Sequence, residues 1–484
     1  MLKGKYGAML LLIGLLIACP LLVLPFYPEE VCWAPAFLLP STVIAMIGFL
    51  IGTVHEPSSR EPVEWHSLLQ KGSGPVLFVW CVAFVCGALP FVLGSQLPPL
   101  PALFESVSGW TTTGLTVCDV EHTPHIFLFY RSFMQYCGGL GFVVMITMVL
   151  RGSLSMSLYN AEGHPDKLTP SLRGTARVIT TLYVCWLVIG VLLFHLGGMP
   201  LFSAICHTMS ALSTAGFSTE ADSIGAYHSP IIQLVTILLM MIGATNFSIV
   251  QRLSKGQVRQ RLRESELRFM LGITVLCTLL TTADLLWHKG GTLPGRLLDA
   301  CFAVVTTFST TGYSTADYSR WPAISLGLLA MLMLIGGCTG STAGGIKMER
   351  AYLLCRITRL NLRRRMEPAR WVSAPYYIRA HRTTPINEQT KEDILSFVSI
   401  YLLVLGIGTL LMTLVANCSL PAAAFEFASA LGTVGLSNGL TSVDAPALQL
   451  LLEMFAMVLG RLEILMVFVG IIDGIRAVRP HPTR

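Results

Sequence analysis

STTGYS occupies positions 309–314, inside a chain that is otherwise strongly apolar. Small and hydroxylated residues around one glycine make a poor membrane helix. The stretch recurs. TTTGLT (111–116), STAGFS (213–218) and GTVGLS (432–437) share its frame, with threonine two residues before the glycine and serine or threonine two after. The glycines Gly114, Gly216, Gly312 and Gly435 stand 102, 96 and 123 residues apart. A period near a hundred residues must be weighed before any single motif.

The composition says where the repeats sit. Of 484 residues, 53% are hydrophobic and 12% charged, and the mean hydropathy is +0.66. Soluble domains carry about 25% charged residues, so the chain reads as a polytopic membrane protein. Lys and Arg are absent from 72–130, 178–251 and 392–460, and they gather in 252–268 and 347–391. That bias places the two basic segments, and both termini, in the cytoplasm. Spans are expected near 7–26, 34–53, 74–94, 126–150, 176–197, 230–250, 268–287, 394–416 and 447–473, with an interrupted one from Trp321. Lys3, Lys5 and Leu16–Cys19 imitate a signal peptide and a lipoprotein box, but the apolar run continues to Phe26, so a retained first helix is expected. The thirteen cysteines form no CxxC pair and the histidines no HxxxH or HExxH pattern. No set of acid–base or nucleophilic groups for an enzyme converges at membrane depth.

Before each glycine stretch lies a shorter apolar segment led by proline: 101–110, 200–211, 294–308 and 421–430. Proline suits the first turn of a helix. At 1.5 Å per residue these helices are too short to cross a bilayer, and they fit half-helices that enter from outside and stop midway. Each unit therefore reads span, half-helix, Thr-x-Gly-x-Ser/Thr, span. The expected fold is all-α and polytopic, with four such repeats in pseudo-fourfold symmetry around a pore and two additional N-terminal spans. The boundaries read 1–71 for the two N-terminal helices, 72–151, 152–260 and 261–365 for the first three repeats, and 366–484 for a basic linker with the fourth.

Extended backbone in a membrane leaves carbonyls unpaired unless it lines a cavity or meets an ion. Glycine admits positive φ and lets successive carbonyls point one way, and threonine and serine hydroxyls add oxygens. Any one copy reads equally as a kink or a helix-packing contact. Four in one frame read as a ring of neutral oxygens that replaces the hydration shell of a monovalent cation. The candidate filter residues are Thr112, Thr113, Gly114, Thr214, Ala215, Gly216, Thr310, Thr311, Gly312, Thr433, Val434 and Gly435. The only metal expected is the ion held there.

These stretches, their spacing and the two N-terminal spans resemble the TrkH-type potassium uptake subunits of the Trk/Ktr/HKT superfamily over essentially the whole chain. The resemblance implies potassium uptake across a bacterial inner membrane through a channel-like pore. All four filter glycines are present, which in this superfamily implies potassium rather than sodium. It also implies a homodimer with one pore per protomer and a cytosolic regulatory ring that binds NAD or ATP. The chain itself has no GxGxxG after a strand pattern, so no cofactor is expected in it; membrane lipid is an expected contact and nucleic acid is not. The competing reading is a sodium- or proton-coupled secondary transporter of another cation or small solute. Such folds use inverted repeats around one central site, and the repeats here are direct.

GGCTGSTAGG (336–345) interrupts the span that follows Trp321, near mid-membrane. Discontinuous helices of this kind mark ion paths, and the stretch reads as a loop plugging the pore below the third filter stretch. No Gly-Lys-Ser/Thr follows, so it is no phosphate loop. The candidate gate comprises Gly336, Gly337, Gly340, Gly344, Gly345, Lys347 and Arg461. Lys347 either belongs to the gate or only marks the cytoplasmic boundary. Arg461 sits deep in an apolar run, where arginine faces a pore or a partner. The resemblance implies that it faces the pore below the filter, repelling a cation or latching the loop; the alternative is a buried ion pair between helices. Arg131 reads as an interfacial anchor. Glu105, Asp299 and Glu426, on or beside the half-helices, either attract cations at the mouth or bond filter backbone.

Overall fold

The structure is a computed structural model that describes residues 2–53, 65–141, 171–253, 256, 264–366, 376–379 and 382–478. Two helices, α1 (Leu2–Ala18) and α2 (Ala34–Thr53), form an N-terminal pair packed on one another. Their approach is close because glycines meet: a Cβ on Gly7 or Gly48 would run into backbone of the facing helix. Between them Glu30 reaches the start of a later helix, where its carboxylate accepts from the backbone N–H groups of His125 and Ile126, both at 2.8 Å. Two otherwise unpaired helix-start donors are thereby satisfied by a group that also suits the positive helix end. This bond fastens the N-terminal pair to the body.

The body contains four sets of helices in the same order. The first comprises α3 (Trp65–Leu93), the short α4 (Pro99–Trp110) and α5 (His125–Leu140). The second has α6 (Leu172–Leu196), the short α7 (Leu201–Leu212), α8 (Pro230–Ala244) and α9 (Phe247–Leu253). The third has α10 (Ser265–Lys289), the short α11 (Leu293–Phe308), α12 (Ala323–Ile335) and α13 (Met348–Met366). The fourth has α14 (Glu388–Ala416), the short α15 (Leu420–Leu431), α16 (Ala447–Arg461) and α17 (Ile464–Val478). Each helix that follows a glycine stretch packs on the short helix of the next set: α5 on α7, α8 on α11, α12 on α15, and α16 back on α4. That order closes a ring. The core therefore lies on an axis between the sets, and the exposed leucines and isoleucines of α14, such as Leu403 and Ile407, face outward as in a membrane protein.

Five described helices are long and apolar enough to cross a membrane unaided. Two expected spans are broken instead. The run 230–250 bends by 119° between α8 and α9, and 447–473 bends by 107° between α16 and α17. At the first break Asn246 caps α9 by accepting from the Ser248 N–H at 2.8 Å, so the polar pair Thr245-Asn246 ends one helix and starts another. At the second, Glu463 takes a left-handed conformation, φ 60°. The expected span 126–150 is described only to Gly141, and its remainder lies outside the described residues, as do parts of both basic segments. One small departure from an all-helical chain is a two-stranded antiparallel ribbon, β1 (Tyr376–Arg379) with β2 (Arg382–Pro385), in register Tyr377 to Thr384. Aromatic and β-branched residues favour the extended form there.

Candidate ion pathway

The four short helices all end into their glycine stretch by one device. The N–H of the residue before each glycine is donated to a carbonyl five residues back. Thr113 bonds Ser108 at 3.0 Å, Ala215 bonds Ser210 at 3.0 Å, Thr311 bonds Thr306 at 2.9 Å and Val434 bonds Ser429 at 2.8 Å. The backbone then alternates in hand. Thr112, Thr214, Thr310 and Thr433 have φ between 51° and 56°, and Gly114, Gly216, Gly312 and Gly435 have φ between 81° and 90°. Alternation of left- and right-handed residues turns successive carbonyls to one side of the strand.

The glycines also close a second, tighter ring. A Cβ on Gly114 would come within 3.0 Å of the Ala215 carbonyl oxygen, one on Gly216 of Thr311, one on Gly312 of Val434, and one on Gly435 of Thr113. Each stretch thus leans on the carbonyl of the next and the fourth returns to the first. All twelve candidate filter residues come together here. The four threonines two residues before the glycines, Thr112, Thr214, Thr310 and Thr433, are fully buried. Among the described residues, the hydroxyls of Thr112 and Thr433 have no hydrogen-bond partner, an uncommon state for buried oxygens.

Behind the ring the stretches are braced. The position nine before the glycine holds Glu105, His207, Ala303 and Glu426. Three of these grip the hydroxyl two after it: Thr116 lies 2.9 Å from Glu105, Ser218 lies 3.0 Å from His207 Nε2, and Ser437 lies 2.6 Å from Glu426. Glu105 and Glu426 also accept from the backbone N–H groups of Val117 and Asn438. Of the two roles open to these glutamates, the geometry realises a bonding one, to the hydroxyl that ends each stretch and to the backbone just after it. Asp299 stands apart, beside Arg296 at 3.4 Å. In the third set Tyr313 does the bracing, donating toward the carbonyls of His207 and Phe217, each at 3.2 Å. His207 and Tyr313 went unread in the sequence; comparing the four repeats column by column exposes His207 opposite two glutamates.

Arg131 is not an interfacial anchor. Its side chain is 1% exposed and meets Glu105 at 2.6 Å. It also donates to Thr116 Oγ1 at 2.8 Å and to the Ser218 carbonyl at 3.3 Å, and lies 4.1 Å from the centre of the Phe217 ring. One guanidinium thus joins the first stretch to the second. Burial is tolerated because a carboxylate and an aromatic face replace water. Glu453 is likewise buried and accepts from Gln449 Nε2 at 3.0 Å.

The glycine-rich segment after α12 folds under the helix-proximal end of the ring. Its ends meet, since the Ile346 N–H is donated to Leu334 at 2.9 Å and the Lys347 N–H to Ile335 at 2.7 Å. Its tip touches three of the four threonines that stand two residues before the glycines. Thr342 Oγ1 lies 2.9 Å from Thr214 Oγ1, the Gly344 N–H is donated to Thr310 Oγ1 at 3.1 Å, and a Cβ on Gly344 would strike Thr433 Oγ1. Asn246, at the α8–α9 break, holds the segment by donating to Thr339. Arg461 donates to the Thr342 carbonyl at 2.6 Å and to the Gly138 carbonyl. Lys347 turns its ammonium back onto the Ala343 carbonyl. The gate candidates Gly336, Gly337, Gly340, Gly344, Gly345, Lys347 and Arg461 therefore surround one small segment against the ring.

The comparisons with known proteins agree with this architecture. The family described as "TrkH: Cation transport protein" matches residues 58–288 and 291–473. The chain is 30% identical over 479 residues to the Trk system potassium uptake protein TrkG of Escherichia coli K12, covering 95% of this chain and 94% of the relative. It is 34% identical over 370 residues to TrkH of Salmonella typhimurium, covering 73% and 74%. The crystal structure of the potassium transporter TrkH from Vibrio parahaemolyticus superposes with a TM-score of 0.82 at 27% identity, covering the whole of both chains. With the match spanning most of its length and the same helical architecture, the chain belongs to the TrkH family of cation transport proteins.

Proposed function

We propose that the chain carries potassium into the cell along the axis of the four glycine stretches. The observation that carries this reading is the closed cycle in which each filter glycine lies against the carbonyl preceding the glycine of the next stretch. Four backbones in this form present stacked rings of neutral oxygens, which suit a dehydrated monovalent cation and offer no charge to hold a divalent one. The unpartnered hydroxyls of Thr112 and Thr433 add oxygens at the helix-proximal end. Potassium is the ion named for the relatives TrkG and TrkH. The segment 336–347 is the gate, and its contacts to Thr214 and Thr310 hold it shut. The membrane is the bacterial cytoplasmic one, with both termini inside, as the distribution of Lys and Arg supports. Two copies pair, and a nucleotide-binding ring docks on the basic cytoplasmic segment; the family resemblance supports both.

Expression in bacteria stripped of their own potassium uptake systems tests the transport reading. The full chain, with a cytosolic regulatory subunit, restores growth at low potassium and rubidium accumulation; cells that stay potassium-starved despite abundant protein in the membrane contradict it. Excising residues 336–345 tests the gate, because the flanking residues Leu334 and Ile346 are already hydrogen-bonded neighbours. Rubidium flux through the isolated protein in vesicles is expected to rise. An unchanged flux removes the gate from the account.

A further inference from the structure

Two residues other than glycine hold left-handed backbone at the two ends of the gating region. Lys347, φ 80°, closes the loop where α13 begins, and Glu463, φ 60°, sits in the break between α16 and α17. Such conformations strain an L residue and persist only where the surroundings impose them. One ion pair spans the two places. Arg350, in the first turn of α13, donates from Nη2 to both carboxylate oxygens of Glu463, at 2.9 and 3.0 Å. Its guanidinium stacks 4.0 Å from the Phe397 ring centre on α14, and Nη1 lies 3.5 Å from the Ile346 carbonyl at the end of the loop. Four segments thus meet at one side chain: the loop, α13, the break in the fourth set, and α14.

We propose that the Arg350–Glu463 pair positions the gate, coupling the bend of the α16–α17 break to the closed loop. The coupling is mechanical and local. Glu463 begins α17, accepting from the Met466 N–H at 3.0 Å. Arg461, two residues before it, ends α16 and grips the Thr342 carbonyl in the loop. The loop is therefore held from the break twice: at its tip by Arg461 and at its exit by Arg350. Straightening the break turns both anchors together. The pair is a quarter exposed on each side, within reach of the cytoplasmic solution, so movement of α13 can break it without uncovering a fully buried charge. A partly exposed ion pair of this kind biases a two-state element by up to about fivefold. This inference rests on the reading of 336–347 as a gate.

The test uses the full chain in vesicles and the neutral double variant R350Q/E463Q, which removes the ion pair without changing net charge near the pore. Basal rubidium flux is expected to rise by up to about fivefold, while the ratio of potassium to sodium flux stays as in the unmodified protein, because no filter residue is touched. A merely structural role would lower flux or selectivity together with thermal stability. If the double variant is not monodisperse, R350K serves: it keeps the charge, loses the two-pronged contact, and is expected to raise flux in the same direction. Unchanged or reduced flux in a well-folded variant overturns the inference. Excision of 336–345 run alongside separates the failures. If excision raises flux and the pair variants do not, only the coupling is wrong; if excision also changes nothing, the gate itself is wrong.

Discussion

Replacing Gly312 with serine is expected to collapse discrimination between potassium and sodium. The backbone there has φ 81°, and the added Cβ would press on the Val434 carbonyl oxygen of the neighbouring stretch. The conformational strain alone is ~1–3 kcal/mol for an L side chain, and carbonyl overlap adds to it. The stretch relieves both by moving away from the axis, which widens the oxygen ring. Since 1.4 kcal/mol is a factor of ten, the potassium-to-sodium flux ratio should fall by roughly tenfold or more. Gly216→Ser presses on the Thr311 carbonyl and is expected to behave alike. Gly327→Ser is the control, because a Cβ on Gly327 meets nothing within 4 Å. Ratios measured in vesicles decide the matter. If Gly312→Ser discriminates as well as Gly327→Ser, the glycines do not shape the ion site.

The second large effect is on stability. Arg131→Met removes the cation that the buried Glu105 carboxylate faces at 2.6 Å. Breaking a buried pair from one side costs about 3–5 kcal/mol, because the remaining charge is left without compensation. The midpoint of thermal unfolding in detergent should drop clearly. Ion selectivity should weaken as well, since the same side chain ties Thr116 of the first stretch to Ser218 of the second. Glu105→Gln leaves the buried guanidinium facing a neutral amide and is expected to lower the midpoint as well. A melting midpoint for Arg131→Met equal to that of the unmodified protein would mean that the bridge contributes nothing.

The parts of this architecture written locally were legible. A glycine flanked by hydroxyls needs only its neighbours to declare an unusual backbone, and four copies declare a common axis. A glycine-rich interruption in an apolar run announces irregular chain for the same reason. What escaped was written across distance. Arg131 and Glu105 are 26 residues apart, with no periodicity to connect them, so the arginine read as a boundary residue. The break at 462–463 lies in an apolar run with no glycine–proline or capping pattern at that point, and the partner of Glu463 in its left-handed turn is Arg350, 113 residues earlier. The break at Thr245-Asn246 falls inside 230–250, which reads as one continuous span by its apolar length, and only the folded chain shows Asn246 capping a second helix. Glu30 capping the helix at His125 joins residues 95 apart, and only the folded chain shows why the N-terminal pair stays attached.

The proposed function rests on four glycine stretches forming one potassium-selective ring. Its most direct measurement is tracer rubidium uptake into potassium-loaded vesicles that contain this chain alone, with external potassium, sodium or caesium as competitors. With such a ring, rubidium enters, potassium suppresses its entry, and sodium at the same concentration competes poorly. Sodium competing as well as potassium would contradict it.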